Sequence, residues 1–185
     1  MATEKTALSV NMKLLLKGIV GTSAELGTSG KDVTDDQSFV ANEKVTFGTG
    51  TGEANQWWYD RRILAGSATD SHDLVSGLTT PTGHTIVGLV LKGIFIHNRS
   101  DETLTEAVHG VAHTISAGSL EVTCPVNGAL WMKTAADAVF VGPGAWLAWY
   151  DPIGIALVAG TGDLLNIVEV GTVEAAYDVV LLFEE

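Results

Sequence analysis

Cysteine is almost absent from this chain of 185 residues. The one cysteine, Cys124, cannot form a disulfide bond within the chain, and one thiolate is too few for a cysteine-based metal site. Apolar residues flank it in the stretch 122–126, which favours a buried small side chain over an activated nucleophile. The sequence therefore predicts no thiol chemistry, and we expect no cofactor.

Charged residues are scarce, and basic residues are the scarcest of them. The chain has 10 Lys and Arg against 22 Asp and Glu, which gives a net charge of -12. Because nucleic acids and anionic membrane surfaces both require clustered positive charge, we expect neither as a partner. Charged residues make up 17% of the chain, against about 25% in typical soluble domains. We therefore expect part of the surface to be covered in an oligomer or a larger assembly.

Long hydrophobic runs are absent as well. The most apolar stretch, 85–96, is too short to cross a bilayer as a helix and contains Lys92. The stretch 7–20 contains Asn11 and two lysines, so it does not form the apolar centre of a signal peptide. These observations predict a protein that is made in the cytoplasm.

Helical periodicity is weak throughout, whereas short β-branched and apolar runs are frequent. Turn residues such as Pro143-Gly144 separate these runs, and Pro152-Ile153-Gly154 is predicted to reverse the chain. Many short runs with turns between them are typical of an all-β sandwich or barrel. Leu165 and Ile167 alternate with Asn166 and Val168, which predicts a strand with one buried face. The predicted runs are 44–47, 57–65, 84–97, 103–108, 120–124, 129–133, 138–141, 145–150, 155–158, 164–170 and 177–183.

The first 56 residues differ in composition from the rest. They are rich in Ser, Thr, Gly and Asp between residues 22 and 36, and glycine alternates with threonine in the stretch 48–52. We predict an extended N-terminal arm or irregular region over residues 1–56 with one or two strands, followed by a β-sandwich domain over residues 57–185. An arm of this kind either reaches a neighbouring subunit or is independently disordered.

Motifs that would indicate catalysis are weak. The stretch 48–52 lacks the Gly-Lys-Ser/Thr of a phosphate-binding loop and is followed by Glu53. His109 and His113 have a spacing that would chelate a metal on a helix, and a β-sandwich enzyme with a metal there is one alternative. The acidic pair Asp70 and Asp73 lies among Ser, Thr and Gly, so we expect solvated loop carboxylates. We predict that the chain is not an enzyme.

Two groups of aromatic residues are the best candidates for an interface. Trp57, Trp58 and Tyr59 are consecutive, and Trp146 and Trp149 lie in a later run. Because adjacent residues of a strand face opposite sides, Trp57 and Trp58 cannot enter the same core. One of them must meet a second layer, a subunit, a ligand or solvent. Interface anchors are the first interpretation, and an aromatic platform that stacks on sugar rings is the alternative.

Several segments resemble, in the same order, those of small structural proteins of tailed double-stranded DNA bacteriophages. They are GTGTGEANQWWYDRRILA at 48–65, HDLVSGLT at 72–79, GPGAW at 142–146, VAGTGDLLNI at 158–167 and YDVVLL at 177–182.

This resemblance implies a virion component without catalysis. Its fold would be an all-β, jelly-roll-like β-sandwich, and its function that of a capsid cement or decoration protein on the outside of the head. Such a protein oligomerises, with a trimer favoured, and contacts the major capsid protein. A tail-associated or fibre-associated structural protein and a carbohydrate-binding β-sandwich module remain alternatives.

Overall fold

The computed structural model describes residues 10–16, 39–79, 83, 85–100, 104–108, 111–115, 118–123, 138–160 and 163–185. Every regular element in these ranges is a β-strand, which confirms the predicted all-β class. The strands are β1 (Val10–Leu16), β2 (Phe39–Phe47), β3 (Glu53–Ala54), β4 (Gln56–Leu64), β5 (Thr69–Asp73), β6 (Val90–Asn98), β7 (Leu104–Val108), β8 (Val111–Ile115), β9 (Leu120–Thr123), β10 (Val139–Val141), β11 (Trp146–Ala156), β12 (Leu164–Glu169) and β13 (Ala175–Glu184).

The chain divides into two compact units, Met1–Phe47 and Gly48–Glu185. In the first unit, β1 pairs with β2 in an antiparallel ribbon that runs from Val10 opposite Val45 to Leu16 opposite Phe39. The second unit contains all the remaining strands, together with the glycine-rich stretch 48–52 that precedes them.

The second unit is built on two four-stranded sheets. Sheet I has the order β11-β6-β13-β4, and sheet II has the order β10-β9-β12-β5. All pairings within them are antiparallel. The eight strands of these two sheets can be renumbered 1 to 8 in chain order. Sheet I then has the order 6-3-8-1, and sheet II has the order 5-4-7-2. This is the strand order of a jelly roll, in which two Greek keys form a double sheet.

The core joins the inward faces of both sheets. Each sheet contributes alternate residues of its strands, because successive side chains of a strand point to opposite faces. Leu165 and Ile167 of β12 are fully buried, as the alternation predicted, and Glu169 is buried on the same face. Burial of each such aliphatic side chain contributes about 1.5–3 kcal/mol. Sheet I supplies Trp58, Ile94, Ile96, Val179 and Leu181, and sheet II supplies Leu120, Val122, Val141, Leu165 and Ile167.

The strands differ from the predicted runs in several places, β5 and β11 among them. Strand β5 was not predicted, because its sequence Thr-Asp-Ser-His-Asp contains no aliphatic residue. The runs 145–150 and 155–158 largely fall within one strand, β11, so the predicted reversal at Pro152-Ile153-Gly154 is wrong. The register against β6 shifts there between Tyr150 and Ile155, which marks a β-bulge within a continuing strand. The predicted strand at 129–133 and Cys124 lie outside the described residues.

The hairpin β7–β8 is inserted between β6 and β9, and Asn98 ties its two ends together. The Asn98 side-chain amide donates to the carbonyls of Gly118 and Val141, both at 2.9 Å. Its side-chain oxygen accepts from the backbone N–H of Ser100. Asn98 is fully buried, so one side chain holds the chain where it leaves the sandwich and where it returns.

Candidate interaction surfaces

The outward face of sheet I is mostly apolar, although only its inward face belongs to the core. Strand pairing aligns its outward residues in three rows that cross the sheet from β4 to β11. We call the first two rows the aromatic face and the third the charged row. The rows are Trp57, Leu182, Gly93 and Tyr150; then Tyr59, Val180, Phe95 and Ala148; then Arg61, Asp178, His97 and Trp146.

The five aromatic residues singled out in the sequence separate between the two faces of sheet I. Trp58 is 6% exposed and lies in the core, whereas its neighbour Trp57 is 44% exposed. Tyr59 also faces outward and is exposed. Trp149 packs against the core from the inward side, while Trp146 is 69% exposed on the outward side. Three of the five, Trp57, Tyr59 and Trp146, therefore remain available to a partner.

Trp146 is fixed in place although it is exposed. Its ring lies parallel to that of His97, with centroids 3.8 Å apart and planes 7° from parallel. Next to His97 in the charged row, Asp178 accepts a 2.7 Å hydrogen bond from Arg61 Nε, and Arg99 Nε lies 3.6 Å from the same carboxylate. The stack holds a flat indole at the end of a row of groups that can form hydrogen bonds.

Lys92 organises the bulge in β11, a role that its place in an apolar run did not indicate. The side chain is 2% exposed, and its ammonium donates to the carbonyls of Pro152 at 3.1 Å and Ile153 at 2.8 Å. It also forms a 2.7 Å ion pair with Glu184. A buried ammonium is stable only when it is paired and hydrogen-bonded, and here the bulge and Glu184 provide both kinds of contact.

A polar network of four side chains joins the two sheets within their largely apolar interface. Tyr177 of sheet I donates from its hydroxyl to Asp70 Oδ2 of sheet II at 2.7 Å. Arg62 Nε donates to the same oxygen at 2.7 Å, and Arg62 Nη2 donates to the other carboxylate oxygen at 3.1 Å. His72 Nε2 lies 3.1 Å from the Tyr177 oxygen. Because the Tyr177 hydrogen is directed at Asp70, His72 Nε2–H is the donor in this last contact.

The network shifts the pKa values of its members in directions that keep Asp70 charged and Tyr177 neutral. Burial lowers the pKa of His72, and the nearby Asp70 carboxylate offsets this only in part. Burial by itself would raise the pKa of Asp70, but the hydrogen bonds from Arg62 and Tyr177 outweigh it, so the pKa falls. Burial, followed by the charge of Asp70, raises the pKa of Tyr177 far above its ordinary range. The hydrogen bond to Asp70 raises the pKa of Arg62.

The expectation of a solvated loop carboxylate is wrong for Asp70. Asp70 lies in β5, and its side chain is only 13% exposed. Asp73 ends the same strand and accepts hydrogen bonds from the backbone of Val75 and Ser76, which close the following turn and lower its pKa although burial opposes this. The sequence missed these roles because the partners of Asp70 are distant in the chain. Tyr177 is fully buried, so the network braces the fold and does not face a ligand.

The metal alternative at His109 and His113 has no helix to support it. Val111–Ile115 is a strand paired with β7, whereas the spacing of the two histidines brings imidazoles together on a helix. His109 itself lies outside the described residues. Within the described part of the chain, no group of three or more His, Cys, Asp or Glu side chains could hold a metal ion.

No profile of a known protein family matches the chain, and no curated protein sequence matches it either. Among the residues that the structure describes, no helix has the length and apolar character needed to cross a membrane.

Proposed function

We propose that this protein is a structural component of a tailed-bacteriophage virion, a capsid decoration protein on the outside of the head. It would stabilise the shell through contacts among its own copies, with a trimer as the expected oligomer, and with the major capsid protein. The jelly-roll fold supports this proposal, because double-sheet jelly rolls are common in viral capsid proteins. The resemblance of several sequence segments, in the same order, to those of phage structural proteins also supports it. A tail or fibre location is the alternative within the same class.

The observation that carries the proposal is the aromatic face of sheet I. The central strands β6 and β13 carry Phe95, Val180 and the buried Leu182 on their outward face, although the core requires only the inward one. Trp57 and Tyr59 extend this outward face into solvent. A sheet with two apolar faces is typical of a sheet that is covered on both sides. A second copy of the chain is the covering molecule that we propose, since a specific contact needs only about 800 Å² from each partner.

Sedimentation of the full-length protein tests self-association. We expect a stable trimer at micromolar concentrations. Trp57→Glu and Tyr59→Glu each place a charge on the aromatic face and should shift the protein towards monomer. Phe140→Glu is the matched control, because Phe140 is 66% exposed on sheet II, away from the proposed contact. A wild-type monomer, or equal behaviour of all three variants, would contradict the proposed contact.

Binding to heads tests the virion assignment itself. Heads assembled without this chain, from the major capsid protein of the same virus, would be mixed with the purified protein and pelleted. We expect saturable binding at a fixed number of copies per head. Absence of the protein from the pellet and from intact virions would refute the assignment to the head, and its presence on isolated tails would favour the tail alternative.

Carbohydrate binding is the second candidate function, and the stacked Trp146 supports it. An indole whose orientation is fixed by His97 can stack on a sugar ring, while Arg61 and Asp178 in the same row can bond its hydroxyls. A glycan array with wild-type protein, Trp146→Ala and Phe140→Ala tests this function. Binding that only Trp146→Ala abolishes would support it, and a wild-type protein that binds no glycan would remove it.

A further inference from the structure

The bulge in β11 presents one apolar side chain to solvent. Ile153 is 73% exposed, the highest value among the large hydrophobic side chains that the structure describes. It lies where the pairing of β11 with β6 is interrupted, between Tyr150 and Ile155. Leu89, just before β6, and Val158, just after β11, are also exposed. The chain segments that contain them are joined by the hydrogen bond from Leu157 N–H to the Leu89 carbonyl.

Hydrogen bonds to three residues hold the backbone of this bulge. Lys92 binds the carbonyls of Pro152 and Ile153, and Gly52 N–H donates to the Pro152 carbonyl at 2.8 Å. The Asp151 side chain accepts from Ile153 N–H at 2.9 Å. Gly154 has φ +79°, and a Cβ there would lie 2.6 Å from Val90 Cγ1, so the turn requires glycine. Ile153 is therefore held in one position before any partner binds, which lowers the entropic cost of binding.

The described charges beside the bulge are acidic. Asp151 precedes it, and its carboxylate bonds the Ile153 N–H, whereas the Glu53 carboxylate accepts from Gly50 N–H within its own loop. Among the described residues, the cation in contact with the bulge is Lys92, which is buried and already paired with Glu184. A second copy would present the same acidic border, and like charges would then oppose each other. The border instead fits a partner surface that carries lysine or arginine.

We propose that the Ile153 bulge is the anchor with which this protein docks on the viral shell, by inserting into an apolar socket bordered by basic side chains on the capsid protein. This inference rests on the proposed function and assigns the contact with the shell to a part of the chain separate from the aromatic face. The isoleucine supplies apolar burial, while Asp151 supplies charge complementarity and orientation.

The test uses the full-length protein and heads assembled without it. Ile153→Asp should weaken binding to these heads by at least about tenfold, because a charge replaces the buried anchor. Asp151→Asn retains an oxygen that accepts from Ile153 N–H and removes one negative charge. It should weaken binding about two- to fivefold and reduce the loss of affinity that added salt causes in the wild type. Phe140→Asp is the control for an exposed apolar residue elsewhere and should bind like the wild type.

The outcomes separate the inference from the function on which it rests. Wild-type protein that does not bind heads would overturn both. Wild-type binding that Ile153→Asp leaves unchanged would overturn the docking role of the bulge and leave the decoration function intact. Thermal unfolding of each variant shows whether it is folded. If Ile153→Asp is unfolded, Ile153→Ser replaces it, and unchanged binding by that folded variant would equally overturn the inference.

Discussion

Tyr177 of sheet I donates its hydroxyl hydrogen to Asp70 of sheet II across 2.7 Å. The two residues are 107 positions apart in the chain, and each is bonded to a second member of the network. Arg62 reaches Asp70 from sheet I, and His72 reaches Tyr177 from sheet II. The sandwich is therefore held by directional contacts between its sheets as well as by apolar burial.

Removing the Tyr177 hydroxyl should destabilise the protein. Tyr177→Phe leaves Asp70 with one donor fewer and His72 Nε2–H without its acceptor, both inside the fold. We expect the free energy of unfolding to fall by about 1–3 kcal/mol. Denaturation in urea at pH 7.5 measures it. Tyr59→Phe is the matched control, because the Tyr59 hydroxyl is exposed and 3.4 Å from Asp178. A loss no larger than that of the control would show that the network does not brace the sheets.

Stability should fall as the pH drops below the ordinary pKa of histidine, about 6.5. Because burial lowers the pKa of His72 in the folded protein, the unfolded chain binds a proton that the folded chain does not. The contribution of His72 to the free energy of unfolding is therefore fully present above that pH. It is lost as the pH falls towards the lowered pKa that His72 has in the folded protein. Asp70, whose folded pKa is also lowered, loses its contribution at lower pH.

Urea denaturation between pH 8 and pH 4.5 measures this dependence. His72→Gln keeps a donor for Tyr177 and does not titrate, so its stability should vary less than that of the wild type between pH 6.5 and 5. Parallel curves for the two proteins would exclude His72 as the source of the slope.

Loss of the Lys92 ammonium should loosen the bulge. Lys92→Met retains most of the side-chain volume but leaves the carbonyls of Pro152 and Ile153 without this donor. We expect a loss of about 1.5–3 kcal/mol in the free energy of unfolding. Backbone amide exchange should also accelerate at Ile153 and Gly154 more than in the core strands. Unchanged exchange at these two amides would indicate that the remaining contacts are sufficient to hold the bulge.

Gly66 should not tolerate a side chain. A Cβ there would overlap the backbone carbonyl of Thr172, and neither backbone segment is free to move away without breaking neighbouring contacts. We expect Gly66→Ala to lower the free energy of unfolding by about 1–3 kcal/mol. Gly142→Ala is the control, since a Cβ at Gly142 meets nothing within 4 Å, and its effect should stay within about 0.5 kcal/mol. Equal thermal stability of the two variants would contradict the contact.

Local patterns in the chain were sufficient to predict its structural class and the facing of individual strands. Alternation with a period of two is a property of neighbouring residues, so Trp57 and Trp58 separate between faces whatever their strand pairs with. The same reasoning holds for Leu165 and Ile167. Alternation did not predict β5, because its inward residues, Asp70 and His72, are polar. They point inward because Arg62 and Tyr177 bond them there.

Pairing between distant segments decided which residues lie side by side on the surface of a sheet. The jelly-roll order aligns Trp57 with Leu182 and Gly93, and so creates an apolar outward face that no single segment shows. Tertiary contacts also overrode a local turn signal at Pro152-Ile153-Gly154, because Lys92 and Gly52 bond the bulge and β11 continues beyond it. A short sequence window contains only one of the two partners in each such contact, and folding brings the other partner from a distant part of the chain.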